Sequence, residues 1–200
     1  MLRGLKQQPV DITAIVTVAD DGGSSGRLRD ELKIPPPGDI RNVLAALSDV
    51  EPLVEDLFQH RFSKGGDLIG HSLGNLILAA MTNITGDFFH AVTEMSKVLN
   101  VRGRVLPAAN TSVVLHAEMD DGQVISGEST IPSYGKQIKR VFLTPEKIEP
   151  VPETIDVIRG ADLIILGPGS LYTSILPNLL VPKIGEEILN APAKKFIFAM

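Results

Sequence analysis

The sequence predicts an α/β fold with a doubly wound, mostly parallel sheet, and three observations carry that prediction. Two short apolar runs, residues 11–18 and 163–166, are rich in aliphatic and β-branched side chains, the pattern of strands covered on both faces. Each run gives way to a segment rich in glycine and serine. Stretches with apolar residues at helical spacing fill the chain between them, and strand–loop–helix alternation of this kind indicates a doubly wound sheet.

Residues 2–7 read as the last turns of a helix, closed by Pro9. The strand 11–18 follows, then a loop over Asp20–Gly26 and a short helix Arg27–Leu32. Pro35, Pro36, Pro37 and Gly38 form a rigid break. A helix begins at Asp39, its expected N-cap, and buries Ile40, Val43, Leu44 and Leu47. Pro52–Phe62 repeats the pattern with Leu53, Leu57 and Phe58. Ser72–Ile84, capped by Ser72, and Asp87–Leu99 are longer amphipathic helices separated by Gly86. Together these helices form an insertion.

The period then changes to two. Ser112–Met119 and Gln123–Ser129 flank Asp120-Asp121-Gly122, a hairpin signal, and Ile138–Leu143 extends that sheet. Residues 105–150 therefore read as a small β-rich excursion within one domain spanning 1–200. Helix Pro152–Arg159 leads to the strand Leu163–Leu166. A helix at Pro182–Leu189 precedes a last strand, Lys195–Met200.

In a doubly wound sheet ligands bind beyond the carboxyl ends of the strands, so the strand-end loops are the candidate sites. The first holds Asp20, Asp21, Gly22, Gly23, Ser24 and Ser25, more polar and glycine residues than a turn requires. In a Rossmann-like fold an acid after the second strand bonds a ribose hydroxyl about 20 residues past a glycine-rich phosphate loop. Counting back from Asp20 places that loop and the first strand at or before Met1. The domain is thus expected to be incomplete here and to bind ligand less tightly than a chain with that strand and loop. The second site is Gly167, Gly169, Ser170 and Thr173, where glycines permit close approach of an anion and hydroxyls can donate. Two helix starts add Gly38, Asp39 and Asn42, and His71, Ser72, Gly74 and Asn75. Gly74 is a poor helix former, which suggests close backbone approach. His60, His90 and His116 read as surface or structural, and Met81, Met95 and Met119 as core filling.

Composition narrows the function classes. The chain has 200 residues, 44% of them apolar, and no cysteine, which excludes a thiol nucleophile, a disulfide framework and Cys-ligated metal. Net charge is -5, and the thin basic group Arg102, Arg104, Lys136, Lys139 and Arg140 is not a nucleic-acid footprint. No apolar run approaches the ~20 residues of a membrane span, and the N-terminus lacks a secretory apolar segment. A cytoplasmic location is expected.

Four segments, Val18–Gly26, Pro36–Asn42, Gly70–Asn75 and Gly167–Ser174, resemble in order the bacterial gluconeogenesis factor family. That family belongs to the CofD-like superfamily with the 2-phospho-L-lactate transferases. The resemblance implies a Rossmann-like fold with a Gly-Gly-Gly-Thr-Gly loop, a stretch that these 200 residues lack. It also implies a role in cell shape and wall synthesis on gluconeogenic carbon sources, and binding of UDP-N-acetylglucosamine in regulating amino-sugar supply.

Four readings are open. In the first, a sugar-nucleotide-binding regulator acts through a protein partner in amino-sugar synthesis, with a homo-oligomer open. In the second, a Mg²⁺-dependent transferase uses Asp20 or Asp21 on a diphosphate and His71 as acid or base. The third is a redox enzyme using NAD(P), and the fourth an inert fragment.

Overall fold

A computed structural model describes residues 1–199. The first helix, α1 (Leu2–Leu5), is a single turn. Strand β1 (Thr13–Val16) pairs in parallel with β2 (Arg104–Pro107), Thr13 opposite Arg104 and Val16 opposite Pro107. The helical insertion lies between these two strands in sequence. It comprises α2 (Gly23–Leu32), α3 (Gly38–Leu47), α4 (Pro52–Gln59), α5 (Leu73–Thr85) and α6 (Phe88–Val98). The antiparallel sheet has the order β4-β3-β5, formed by β3 (Val114–Met119), β4 (Val124–Ser126) and β5 (Ile138–Thr144). Helix α7 (Pro152–Arg159) precedes β6 (Leu163–Gly169). A π-turn over Leu171–Ile175, α8 (Leu176–Leu179) and α9 (Ile184–Asn190) then lead to β7 (Lys194–Ala199), which pairs in parallel with β6. The expected last strand is present up to Ala199; Met200 lies outside the described residues.

The helices form where apolar spacing and end signals agree. Ser72 caps α5 by accepting a hydrogen bond from the Asn75 N–H at 3.2 Å. The left-handed Gly86 closes the same helix and donates to the Thr82 carbonyl. Asp87 caps α6, accepting from the His90 N–H at 2.8 Å. The apolar faces of α3, α5 and α6 meet the β1–β2 pair and the inner face of the antiparallel sheet in one cluster. Ile40, Leu44, Leu78, Val92, Val105, Leu115 and Met119 belong to it. Along β3 the buried residues are Leu115, Ala117 and Met119, with His116 and Glu118 on the outer face, the period-2 alternation of a sheet covered on one side.

Four expectations change. The parallel strands form two separate pairs among the described residues, so the architecture observed is mixed α/β with small parallel and antiparallel sheets. The run 163–166 is not covered on both faces: Leu163 is 50% exposed and Phe198 of its neighbour 53%. Apolar composition states what a strand can bury, not what covers it. Residues 105–107, grouped with the β-rich excursion by their composition, are β2, because their hydrogen bonds go to β1. Finally, α2 starts at Gly23, so Ser24, Ser25 and Gly26 lie in its first turn and are buried; tertiary packing outweighs the low helix propensity of glycine and serine there. Met95 and Met119 fill the core, and Met81 packs against it. Among the described residues no helix is long and apolar enough to cross a membrane.

Leu115 is fully buried and joins the antiparallel sheet to the helical layer. Leu115→Ala is expected to cost about 2–5 kcal/mol, whereas Leu53→Ala, at a residue 77% exposed, should change stability by less than ~0.5 kcal/mol. Urea titrations of the two variants against the parent measure both.

Candidate functional site

The chain leaves β1 through Val18 and Ala19, both buried, and reaches Asp20 at the edge of a cavity. The Asp20 carboxylate accepts the Gly22 N–H at 2.8 Å, which turns the backbone into the start of α2. Three helix N-termini converge here, since Ser24 and Ser25 open α2, Gly38 opens α3 and Asn75 lies in the first turn of α5. The cavity they enclose has a volume of about 250 Å³ and is lined by Asp20, Gly22, Gly23, Ser24, Ser25, Gly38, Arg41, Asn42, Arg61 and Asn75. Several N–H groups and two guanidiniums at one cavity favour an anion.

A hydrogen-bond network holds two of the N-termini together. Ser24 Oγ accepts from Asn75 Nδ2 at 3.1 Å and from the Ser72 N–H at 3.4 Å. With both lone pairs engaged, the hydroxyl donates its proton to His71 Nδ1, 3.0 Å away. Burial, and next the charge of Arg27, lower the His71 pKa, so the ring is a neutral acceptor. It braces Ser24 from behind and does not line the cavity. The third N-terminus is pressed onto the first loop: a methyl group on Gly38 would lie 2.2 Å from Ser25 Oγ and 2.7 Å from Asp20 Oδ2. Only a residue without a side chain fits. Asp39, expected as the N-cap, sits instead inside the first turn. Pro37 precedes the helix, and its carbonyl accepts the Arg41 N–H at 2.8 Å.

Arg41 is the unusual residue. It is 6% exposed, yet its guanidinium meets only neutral oxygens: Asn75 Oδ1 at 2.9 Å, Asn42 Oδ1 at 2.9 Å and Gln59 Oε1. No ion pair among the described residues includes it. Burial, and next the neighbouring Arg61, push its pKa down, against the charges of Asp39 and Asp20, which raise it. Helix α5 is cut away to admit it. A methyl group on Gly74 would stand 2.4 Å from the Phe58 carbonyl and 2.8 Å from Arg41 Cδ, the close approach its sequence context suggests. Arg61 reaches the cavity from the segment between α4 and α5, where it also donates to the Gly70 carbonyl.

The remaining predicted residues do not line this cavity. Asp21 faces away: it accepts the Ser129 N–H at 2.9 Å, and a methyl on Gly127 would lie 2.3 Å from its other oxygen. It ties the turn after β4 to the first loop. The second strand-end loop holds Gly167 and Gly169, and Ser170 caps the π-turn by accepting from the Thr173 N–H at 3.4 Å. Glu128 lies in the turn after β4 and is half-buried. Burial raises the Glu128 pKa; Thr173 offsets part of the rise, and the charges of Asp20 and Asp21 add to it. Burial, then Asp20, then Glu128 raise Asp39 to about 6. Arg41, Arg61 and Glu128 escaped sequence reasoning. Arg41 stands inside the segment Gly38–Asn42, where its place in the helix gives it a buried position. Arg61 and Glu128 have no local signal, because only the fold brings them near Asp20.

The profile of the family described as 2-phospho-L-lactate transferase CofD matches residues 1–199. The chain belongs to this family. The gluconeogenesis factor of Bacillus subtilis (strain 168) is 88% identical over 195 residues, which are 98% of this chain and 62% of that protein. That of Halalkalibacterium halodurans is 68% identical and that of Listeria innocua 52%, each across 98% of this chain and 61% of its own length. The chain thus spans about three fifths of these family members. A crystal structure of a Bacillus halodurans protein superposes with a TM-score of 0.97 at 68% identity, over 98% of this chain and 63% of that one. Three of the four segments that resembled the family, Val18–Gly26, Pro36–Asn42 and Gly70–Asn75, contribute residues to the cavity lining, and Gly167–Ser174 contributes none.

Two variants probe the geometry. Gly74→Ala drives a methyl into the Phe58 carbonyl and the Arg41 stem, so a loss of roughly 1–3 kcal/mol is expected by thermal or urea unfolding. Asp39 binds its proton more tightly when folded. The folded protein therefore holds the extra proton between 3.8, the ordinary value, and about 6, and stability falls as pH rises through that window. Asp39→Asn should remove this fall, being roughly 1–2 kcal/mol more stable than the parent at pH 7.5 after allowance for solvent screening. The two should converge under acid conditions, as unfolding curves across pH will show.

Proposed function

We propose that the cavity binds the diphosphate of a sugar nucleotide, UDP-N-acetylglucosamine in the first instance, and that the protein is a cytoplasmic regulator of amino-sugar supply. The observation that carries this is Arg41. A buried cation is expected to be paired, and this one is surrounded by neutral amides beside a second arginine and three helix N-termini. Asp39 and Asp20 act on it from nearby, and a diphosphate would supply the direct ion pair. Asp20, at the end of β1, is placed to accept hydrogen bonds from ribose or sugar hydroxyls. In this reading the two parallel strand pairs belong to one Rossmann-type sheet. The protein acts on cell shape and wall synthesis on gluconeogenic carbon sources through a regulatory protein partner, as the family resemblance implies.

The family description as a transferase favours a second reading, Mg²⁺-dependent transfer to or from a diphosphate ligand. Among the described residues no group of three acidic or histidine side chains is arranged to hold a metal ion. An ion would therefore depend on Asp20, the serine hydroxyls and the ligand's own phosphates.

Calorimetric titration separates the readings. UDP-N-acetylglucosamine is expected to bind without turnover. Arg41→Gln should weaken it about 10–100-fold, the worth of one to two charge-assisted hydrogen bonds, and Asp20→Ala should weaken it as well. Affinity unchanged by Arg41→Gln sinks the diphosphate assignment. Mg²⁺-dependent consumption of a nucleoside diphosphate donor supports the transferase instead, and tighter binding of NAD(P) than of the sugar nucleotide supports a redox enzyme.

A further inference from the structure

We infer that His71 takes up a proton when an anion enters the cavity, and that Ser24 then turns its hydroxyl proton from His71 to the ligand. The inference rests on the diphosphate reading above and adds to it how the site answers the ligand's charge.

Ser24 stands between the cavity and the imidazole. It lines the cavity, and behind it the His71 ring, in a residue 6% exposed, lies with Nδ1 3.0 Å from Ser24 Oγ. A hydroxyl has one proton and two lone pairs. The Asn75 amide and the Ser72 N–H take the lone pairs at 3.1 and 3.4 Å, and the proton goes to His71. In this arrangement the Ser24 hydroxyl has no proton left for the cavity it lines.

The surroundings of His71 keep its ring neutral. Arg27 donates to the Ile69 carbonyl at 2.6 Å, and Arg61 donates to the Gly70 carbonyl. Two guanidiniums are thus fixed to the two residues that precede His71. Burial lowers the His71 pKa most, then Arg27; Glu31 of α2 opposes them, and Arg61 adds to them. Arg41 of α3 reaches the same network through Asn75. A diphosphate on the far side of Ser24 adds negative charge and moves the balance towards the imidazolium. With a proton on Nδ1, the ring donates to Ser24 Oγ, and three donors compete for two lone pairs. The Ser72 contact is the longest, and Asn75, which also lines the cavity, has a ligand oxygen as its alternative acceptor. The Ser24 O–H, released from the ring, rotates about its Cβ–Oγ bond and donates to the ligand. The proton gained comes from solvent, and no covalent bond of ligand or serine changes.

The test is calorimetric titration with UDP-N-acetylglucosamine, which has no group of its own that titrates near neutral pH, in buffers of different ionisation enthalpy. Affinity rises as pH falls from the ligand-bound to the ligand-free value of His71, so the parent should take up protons and bind about three- to tenfold more tightly at pH ~6 than at pH ~8. Asp39, raised to about 6, takes up protons by the same electrostatics. The share of His71 is therefore the uptake that Asp39→Asn retains and His71→Asn loses. His71→Asn keeps an acceptor for the Ser24 hydroxyl and removes the titrating group. Should His71→Asn fail to fold, nitrogen NMR of the parent's four histidines, assigned with single Gln variants of His60, His90 and His116, reads the ring directly. The His71 titration should move to higher pH when the ligand binds. Binding with no proton uptake in Asp39→Asn, or with an unmoved His71 titration, overturns the role of His71 and leaves the diphosphate reading standing. A parent that does not bind the ligand overturns both.

Discussion

The guanidinium of Arg41 is the constraint around which the cavity is arranged. A buried positive charge is costly unless its donors are satisfied and its charge met. Here the first condition is fulfilled by Asn42, Asn75 and Gln59, drawn from α3, α5 and α4. Those three contacts fix how the helices approach one another. Gly74 is part of the same arrangement, because any side chain there would collide with the arginine stem. The second condition is met only in part, through the nearby charges of Asp39 and Asp20, and in the proposed reading a diphosphate completes it.

The same logic extends outwards. Asn75 accepts from Arg41 and donates to Ser24, and Ser24 donates to a neutral His71. One chain of hydrogen bonds thus sets the first turns of α2 and α5 against the arginine. Each member is satisfied by its neighbour, the condition under which a buried polar network rigidifies a site. The carboxylates are treated differently. Asp39 is raised to about 6 by burial and by Asp20 and Glu128, so stability is given up near neutral pH to keep negative charge beside the cavity. Destabilising groups retained at a site are a common mark of function.

The antiparallel sheet takes on a role that its sequence does not advertise. Its inner face fills the core through Leu115, Ala117 and Met119. Its turn after β4 is clamped to the first strand-end loop by Asp21. The family match runs from residue 1 to 199 and takes in this sheet.

Much was legible from the sequence. The amphipathic helices at 38–47, 73–85 and 88–98 follow from apolar spacing and caps such as Ser72 and Asp87, and the hairpin follows from alternation around Asp120-Asp121-Gly122. These are local signals, carried by neighbours in the chain. Asp20, Ser24, Ser25, Gly38, Asn42 and Asn75, which line the cavity, were legible as candidates for the same reason, because a strand end or a helix start is recognisable where it stands. Tertiary structure alone decided the rest. It turned Asp21 from ligand contact to clamp, gave 104–107 to β1, moved the start of α2 to Gly23 and brought Arg41 and Arg61 to one cavity. Charge without a partner and carboxylates that repel are properties of distances between remote residues, and sequence spacing does not encode those distances.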